Sequence, residues 1–207
     1  MTAIDLRPVR VSISPARRLT QLLAGLALYG TSMAMMTRAR LGLDPWDVLH
    51  EGITKRTGLT FGTVVGIASV AVLLLWIPLR QRPGLGTVLN VLVISVVVDL
   101  VRAVLPDQQV LGWRITLLIA GILLNAVATA VYVGARLGPG PRDGLMTGLA
   151  ARTGWSVRLV RTGIEVTALA AGWLLGGTVG AGTILYALAI GPLTQALLPH
   201  VAWRESR

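Results

Sequence analysis

"LGLDPWDVLHEGITKRTG", residues 41–58, decides how this chain is read, because "LGPGPRDGLMTGLAARTG" at residues 137–154 repeats it. Leu41, Gly42, Pro45, Asp47, Leu49, Gly52, Arg56, Thr57 and Gly58 each recur 96 positions later. The same offset pairs Arg18 with Arg114, Gly25 with Gly121, Arg40 with Arg136, Gly84 with Gly180, Gly86 with Gly182 and Thr87 with Thr183. No gap is needed from Arg18 to Ile94, and roughly a third of those positions are identical. Leu, Ala and Gly coincide easily in an apolar chain, but Pro, Asp, Arg and Thr do not. The chain therefore divides into two copies, 1–108 and 109–207.

Each copy of the opening stretch carries the end signals of a short helix. In the first, Asp44 suits the N-cap and Pro45 the first helical position. Asp47 then falls in the first turn, where a carboxylate favours the positive helix end. Lys55 and Arg56 occupy the last turn and Gly58 follows it. The second copy has Gly140, Pro141, Asp143, Arg152 and Gly154 at these places. Helices are predicted over 45–57 and 141–153. Trp46, Leu49 and Ile53 share one face of the first; Asp47, His50, Glu51 and Lys55 lie largely elsewhere. Such a helix is too short to span a bilayer. It lies along the interface or enters as a re-entrant element lining a polar cavity. His50 and Glu51 stand where the second copy has Met146 and Thr147.

The flanks are built for lipid. Of 207 residues, 54% are hydrophobic and 14% charged, against about a quarter charged in soluble domains, and mean hydropathy is +0.71. Six spans are expected, at about 19–37, 59–79, 85–105, 115–135, 158–176 and 181–199. "RQRPG" and "GGTVGAG" read as turns between the second and third and the fifth and sixth. Three spans per half means that the second half enters the membrane from the opposite side. The expected fold is an all-α membrane protein with a 3+3 inverted-topology repeat, each half carrying one short capped amphipathic or re-entrant helix.

Net charge is +10. The basic residues sit between apolar spans rather than in a nucleic-acid-binding patch, so nucleic acid is not an expected partner. With the N-terminus in the cytoplasm, the inside segments, Arg142 among them, hold 13 of the 19 Lys and Arg and the outside segments 6. The positive-inside rule then places both termini in the cytoplasm. The basic arm before the first span reads as retained rather than as a signal peptide. Trp76, Trp113, Trp155, Trp173 and Trp203 fall near span ends, where such rings anchor at the interface.

These features together resemble the YitT/YczE group of bacterial integral membrane proteins. The resemblance covers nearly the whole chain. It is carried most specifically by the Gly-x-x-Pro-x-Asp-x-Leu core at Gly42–Leu49 and Gly138–Leu145. It implies a multi-pass protein of the bacterial plasma membrane and supplies no catalytic residues.

The candidate functional residues are few. Asp47 and Asp143, with Pro45, Pro141, Gly42 and Gly138, are either helix caps alone or the lining of a central polar route that also takes in His50 and Glu51. Asp99 and its repeat partner Gln195 lie inside spans; Asp99 is either functional or locally paired with Arg102. Glu165 is either functional or paired with Arg161. Gly25, Gly30, Gly172, Gly176 and Gly182 are expected at close helix contacts. With no Cys and two distant His there is no metal cluster, and no cofactor is expected. No phosphate loop, Ser/His/Asp order or catalytic acid pair is present, so an enzyme is not expected. Inverted repeats with matching short elements point to a small-solute transporter. The alternatives are a non-transporting scaffold or regulator bound to another membrane protein, a homo-oligomer included, and the capture subunit of a larger transporter.

Overall fold

Helix starts recur with the repeat. The computed structural model describes residues 8–203, which form eight α-helices. α1 (Pro15–Ala39), α2 (Pro45–Thr57), α3 (Phe61–Trp76) and α4 (Leu85–Val104) are followed by α5 (Leu111–Gly134), α6 (Pro141–Thr153), α7 (Val157–Leu174) and α8 (Ala181–Val201). Each helix of the second set begins 96 residues after its counterpart. The causes are local and duplicated. Thr60 and Ser156 cap α3 and α7 by accepting from the amides of Thr63 and Leu159, both at 3.2 Å. Gly58 and Gly154 end α2 and α6, each at φ +73°, a left-handed conformation that only glycine reaches without strain. Arg7, Arg204 and Arg207, which entered the charge count for orientation, lie outside the described residues.

The span count needs correction. Among the described residues, α1, α4, α5 and α8 are long and apolar enough to cross a membrane. α3 has 16 residues, only about 24 Å of helix, and α7 carries Arg158, Arg161 and Glu165 within 18 residues. Neither 59–79 nor 158–176 is therefore a plain full-length span. α2 and α3 together pass the test of length and composition, but as a pair bent by 116°: a broken span or a re-entrant element. Leu92, Val96 and Leu100 of α4 and Ile184 and Leu188 of α8 present an apolar outer surface, as lipid contact requires. Trp113, Trp155 and Trp173 are exposed as an interfacial belt would be, whereas Trp76 and Trp203 are buried in the bundle.

α1 and α5 run together through the centre, α4 packing on α1 and α8 on α5. A Cβ on Gly25 would lie 2.6 Å from the Tyr132 amide nitrogen, and one on Gly121 would lie 2.8 Å from Cγ of Met36, the residue equivalent to Tyr132. The short helices cross over: α2 packs on α7 of the other half, and α6 on α3. Loop contacts are reciprocal too. Gly86 donates to the Leu137 carbonyl at 2.9 Å, and Gly182 to the equivalent Leu41 carbonyl at 2.8 Å. A Cβ on Gly42 would meet the Thr183 amide at 2.7 Å, so this loop has to approach α8 as bare backbone.

The symmetry breaks where α2 and α6 meet their partners. Buried Trp76 of α3 lies against Gly144 and donates its indole N–H to the Pro141 carbonyl at 3.0 Å. Its equivalent on α7 is Gly172, which brings α2 in to backbone contact: a Cβ there would sit 2.3 Å from the Leu49 amide. Gly172→Ala is expected to destabilise the protein by roughly 2–3 kcal/mol, because the clash is with backbone and cannot be relieved by a rotamer. Gly163→Ala on the same helix, where a Cβ would meet nothing within 4 Å, is expected to leave it unchanged. Thermal unfolding of the two variants in detergent checks this. Gly25, Gly30 and Gly182 are likewise at close contacts, but Gly176 has open space around it and ends a turn at φ +96°.

Candidate functional site

The N-termini of α2 and α6 meet inside the bundle. Trp46 and Arg142, the second residues of the two helices and equivalent in the repeat, stack with the guanidinium 4.9 Å from the ring centroid. The second copy therefore puts a cation at the positive end of its own helix, where the dipole disfavours it. The compensation comes from the first copy. Arg142 lies 3.7 Å from Oδ1 of Asp44 and 3.7 Å from Oδ1 of Asp47. Asp44 also caps α2 as the sequence predicts, accepting from the amides of Trp46 at 2.8 Å and Asp47 at 3.0 Å. Asp47 is fully buried and meets Nδ1 of His50, itself 1% exposed, at 3.2 Å.

The centre is polar but incompletely satisfied. Oδ2 of Asp44, Oδ2 of Asp47 and Nε1 of Trp46 are buried without a hydrogen-bond partner among the described residues. A buried carboxylate oxygen left unpaired is costly, so such atoms mark a place where another group binds or where charges rearrange. On the other side of Arg142 lies a cavity of about 70 Å³, bounded by Tyr29, Asn90, Tyr132, Arg142 and Asp143 among others, room for a few water-sized groups. Tyr132 donates to Asp143 Oδ2 at 3.3 Å and packs edge-on to Tyr29 at 5.9 Å. Further along the interior, Asn125 joins α1 to α8, donating to Ser32 at 2.8 Å and accepting from Tyr186 at 3.1 Å.

From this centre α2 runs outward to a second, larger cavity of about 370 Å³, walled in part by Arg38, Arg40, Glu51, Lys55, Arg102 and Asp107. Glu51 stands at the junction. It accepts from the Thr178 amide at 2.5 Å and pairs with Lys55 at 3.2 Å. Buried Phe61 separates this vestibule from the centre, its ring 5.9 Å from that of His50 on one side and 4.9 Å from the Arg102 guanidinium on the other.

Of the residues singled out in the sequence, Asp47 and His50 fall at the centre and Asp143 beside it. Pro45 and Pro141 begin the helices that meet there, Gly42 and Gly138 shape the loops leading in, and Glu51 joins the vestibule. Asp99 does not pair with Arg102; it fixes the start of α3, accepting from the Gly62 amide at 2.7 Å and from the Thr60 hydroxyl. Gln195 is exposed on α8, and Glu165 pairs with Arg161 at 2.8 Å on α7. The sequence reading missed Arg142, counted among the cytoplasmic cations, and the interior role of Asp44, Tyr29 and Tyr132. Arg142 did leave a signal: a cation in the first turn of a capped helix opposes that helix's own dipole.

The comparisons with known proteins agree with the membrane reading. The family of unknown function DUF6198 matches residues 16–199. An uncharacterised protein of Haemophilus influenzae is 38% identical over 190 residues, covering 89% of this chain and 87% of its own. The uncharacterised membrane protein YczE of Bacillus subtilis is 37% identical over 188 residues, covering 88% and 86%. The uncharacterised protein YyaS of the same organism is 25% identical over 181 residues, covering 86% and 90%. No solved structure matches the chain.

Proposed function

The chain belongs to the family of unknown function DUF6198, and on that footing we propose that this membrane protein carries a small polar solute across the bilayer through the centre where α2 and α6 meet. The observation that carries the reading is the pair of convergent helix N-termini with Arg142 poised 3.7 Å from both Asp44 and Asp47, whose second oxygens are unpaired. Half-membrane helices that bring their ends together at a repeat axis are the usual way a bundle builds a midplane site. In this reading the two four-helix sets are inverted repeats, each contributing α1, α3 and α4 or their counterparts as crossings, with α2 and α6 re-entrant. Charge asymmetry supports an orientation with both termini in the cytoplasm of a bacterial cell, which would put the vestibule outside.

The halves would then exchange access about the centre. From one face the vestibule reaches Arg102, whose guanidinium lies over the Phe61 ring. On the other face the equivalents of Arg102 and Asp107 are Leu198 and Trp203, and Trp203 is buried under the stacked Arg18 guanidinium at 5.1 Å. Asp143, which lines the central cavity, is itself exposed, so the centre is not sealed from solvent. In proteoliposomes screened with gradients of small polar solutes, uptake is expected to fall more than tenfold with Asp47→Asn, since its carboxylate lies among His50 and Arg142. Gln195→Ala, on the outer face of α8, is expected to leave uptake intact. Uptake of every mobile solute unchanged by Asp47→Asn together with Asp143→Asn would sink this reading.

One observation favours the scaffold alternative. Between α2, α6 and α7 runs an apolar groove of about 440 Å³, lined by Leu49, Leu159 and Ile164 among others and edged by exposed Trp155, a shape suited to a partner's membrane helix. A stable co-purifying membrane protein lost on Leu159→Glu, with no solute movement, would favour it.

A further inference from the structure

We infer that the vestibule is a binding site for a small oxyanion, a carboxylate or a phosphate. This goes beyond transport: it concerns capture, and stands whether or not the captured group moves on. The charge around the cavity is unbalanced. Four cations of the wall, Arg38, Arg40, Lys55 and Arg102, stand against two carboxylates of the wall, Glu51 and Asp107. Asp99, which also attracts Arg102, lies outside the wall and is taken up by the Gly62 amide and the Thr60 hydroxyl. One carboxylate is shared by two guanidiniums, Asp107 meeting Arg38 and Arg40 at 2.6 Å each. The hydrogen bond from Arg38 holds the Asp107 carboxyl below its usual range, so it is spent as an anion within the wall. Glu51 is likewise taken up by Lys55 and the Thr178 amide.

Arg102 is the cation left over. Its guanidinium rests on the Phe61 ring and has no hydrogen bond or ion pair among the described residues. Beside it, Nε of Arg38 and the hydroxyl of Thr54 are buried with no partner. Arg38 is held in place by donating to the Arg102 carbonyl and to Asp107. The unpaired guanidinium of Arg102, beside the unpaired Nε–H of Arg38 and a hydroxyl, supplies the kind of donors that a carboxylate or phosphate accepts from. The repeat supplies an internal contrast. The positions equivalent to Arg38, Lys55, Arg102 and Asp107 are Gly134, Ala151, Leu198 and Trp203, so of the four cations only Arg40 is duplicated, as Arg136.

The oxyanion has two sources, a soluble small molecule or an anionic lipid headgroup, and the experiment separates them. The full chain in uncharged detergent is titrated calorimetrically with succinate and with inorganic phosphate, at ionic strength held constant with chloride. In parallel, phosphatidylglycerol retained from mixed micelles is counted by native mass spectrometry. Saturable binding of succinate or phosphate is the expected result and identifies the soluble source; retained phosphatidylglycerol without it identifies the lipid. In either arm Arg102→Gln is expected to weaken binding about tenfold, and Arg102→Lys less. Arg40→Gln, at a rim position whose side chain is 55% exposed, folds regardless and is expected to weaken it about threefold. Binding no greater than that of chloride for all three probes, or binding unchanged in Arg40→Gln and in every Arg102 variant that folds, overturns the assignment.

Discussion

Arg142→Met is expected to lower the stability of the protein by about 3–5 kcal/mol, the loss found when one partner of a buried ion pair is removed. The side chain keeps its volume but loses the charge that Asp44 and Asp47 face at 3.7 Å. Both carboxylates already carry an oxygen without a partner, and both would then be buried with no cation at the centre. Their geometry also holds the start of α2, so the loss spreads to the capped turn. The reverse change is diagnostic. Adding Asp44→Asn and Asp47→Asn to Arg142→Met is expected to recover most of the stability, since Asn still caps a helix and no buried charge remains. The triple variant should nevertheless fail to take up solute. Chemical unfolding in detergent reads the first effect and proteoliposome uptake the second. Equal instability of single and triple variants would show that Arg142 acts through packing on Trp46 rather than through charge.

Arg18→Ala is expected to cost about as much. All five N–H groups of this fully buried guanidinium are used, on the carbonyls of Val9, Arg10, Ile13, Ala135 and Arg136 at 2.8–3.1 Å. Five carbonyls lose a charged donor at once, at 1.5–3 kcal/mol for each such bond and less than additively, so about 4 kcal/mol is a reasonable scale. The repeat provides the control. Arg114 makes the equivalent bonds to Ala39 at 2.8 Å and Arg40 at 2.7 Å but lacks the other three. Arg114→Ala should therefore cost roughly half as much, and an unfolding series of the two variants tests that ordering. An equal loss would show that the shared pair of carbonyls carries the whole effect, and that the contacts to residues 9–13 add nothing.

Most of the chain's organisation is written locally. The Asp44–Pro45 and Gly140–Pro141 starts, the Gly58 and Gly154 ends, and the 96-residue register follow from caps, turn residues and repetition, all of which act within a few residues of themselves. The helices at 45–57 and 141–153 stand where those signals put them. The resemblance to the YczE group was legible in the same stretch. Two of the six expected spans were overstated because hydropathy counts apolar residues and not length between breaks. Pro78 and the Arg80–Gly84 turn stop α3 at Trp76, and three charged residues interrupt the apolar run of α7.

The interior could not be read this way. The sequence placed Arg142 among the cytoplasmic cations because the charge count assigns whole segments between spans to one side. Only the crossing of α2 onto α7 and α6 onto α3 brings Arg142 across to Asp44, Asp47 and Trp46, residues about a hundred positions away. The sequence also offered Arg102 as a partner for Asp99, the nearest opposite charge on one helix face; tertiary packing gave Asp99 to the α3 N-terminus and left Arg102 over Phe61 in the vestibule. The sequence by itself therefore determined the elements, their caps and their duplication, which short-range sterics and hydrogen bonding dictate. Which buried charges face one another was decided by the tertiary structure, because each is settled only when desolvation forces it to a partner that the chain brings from the other half.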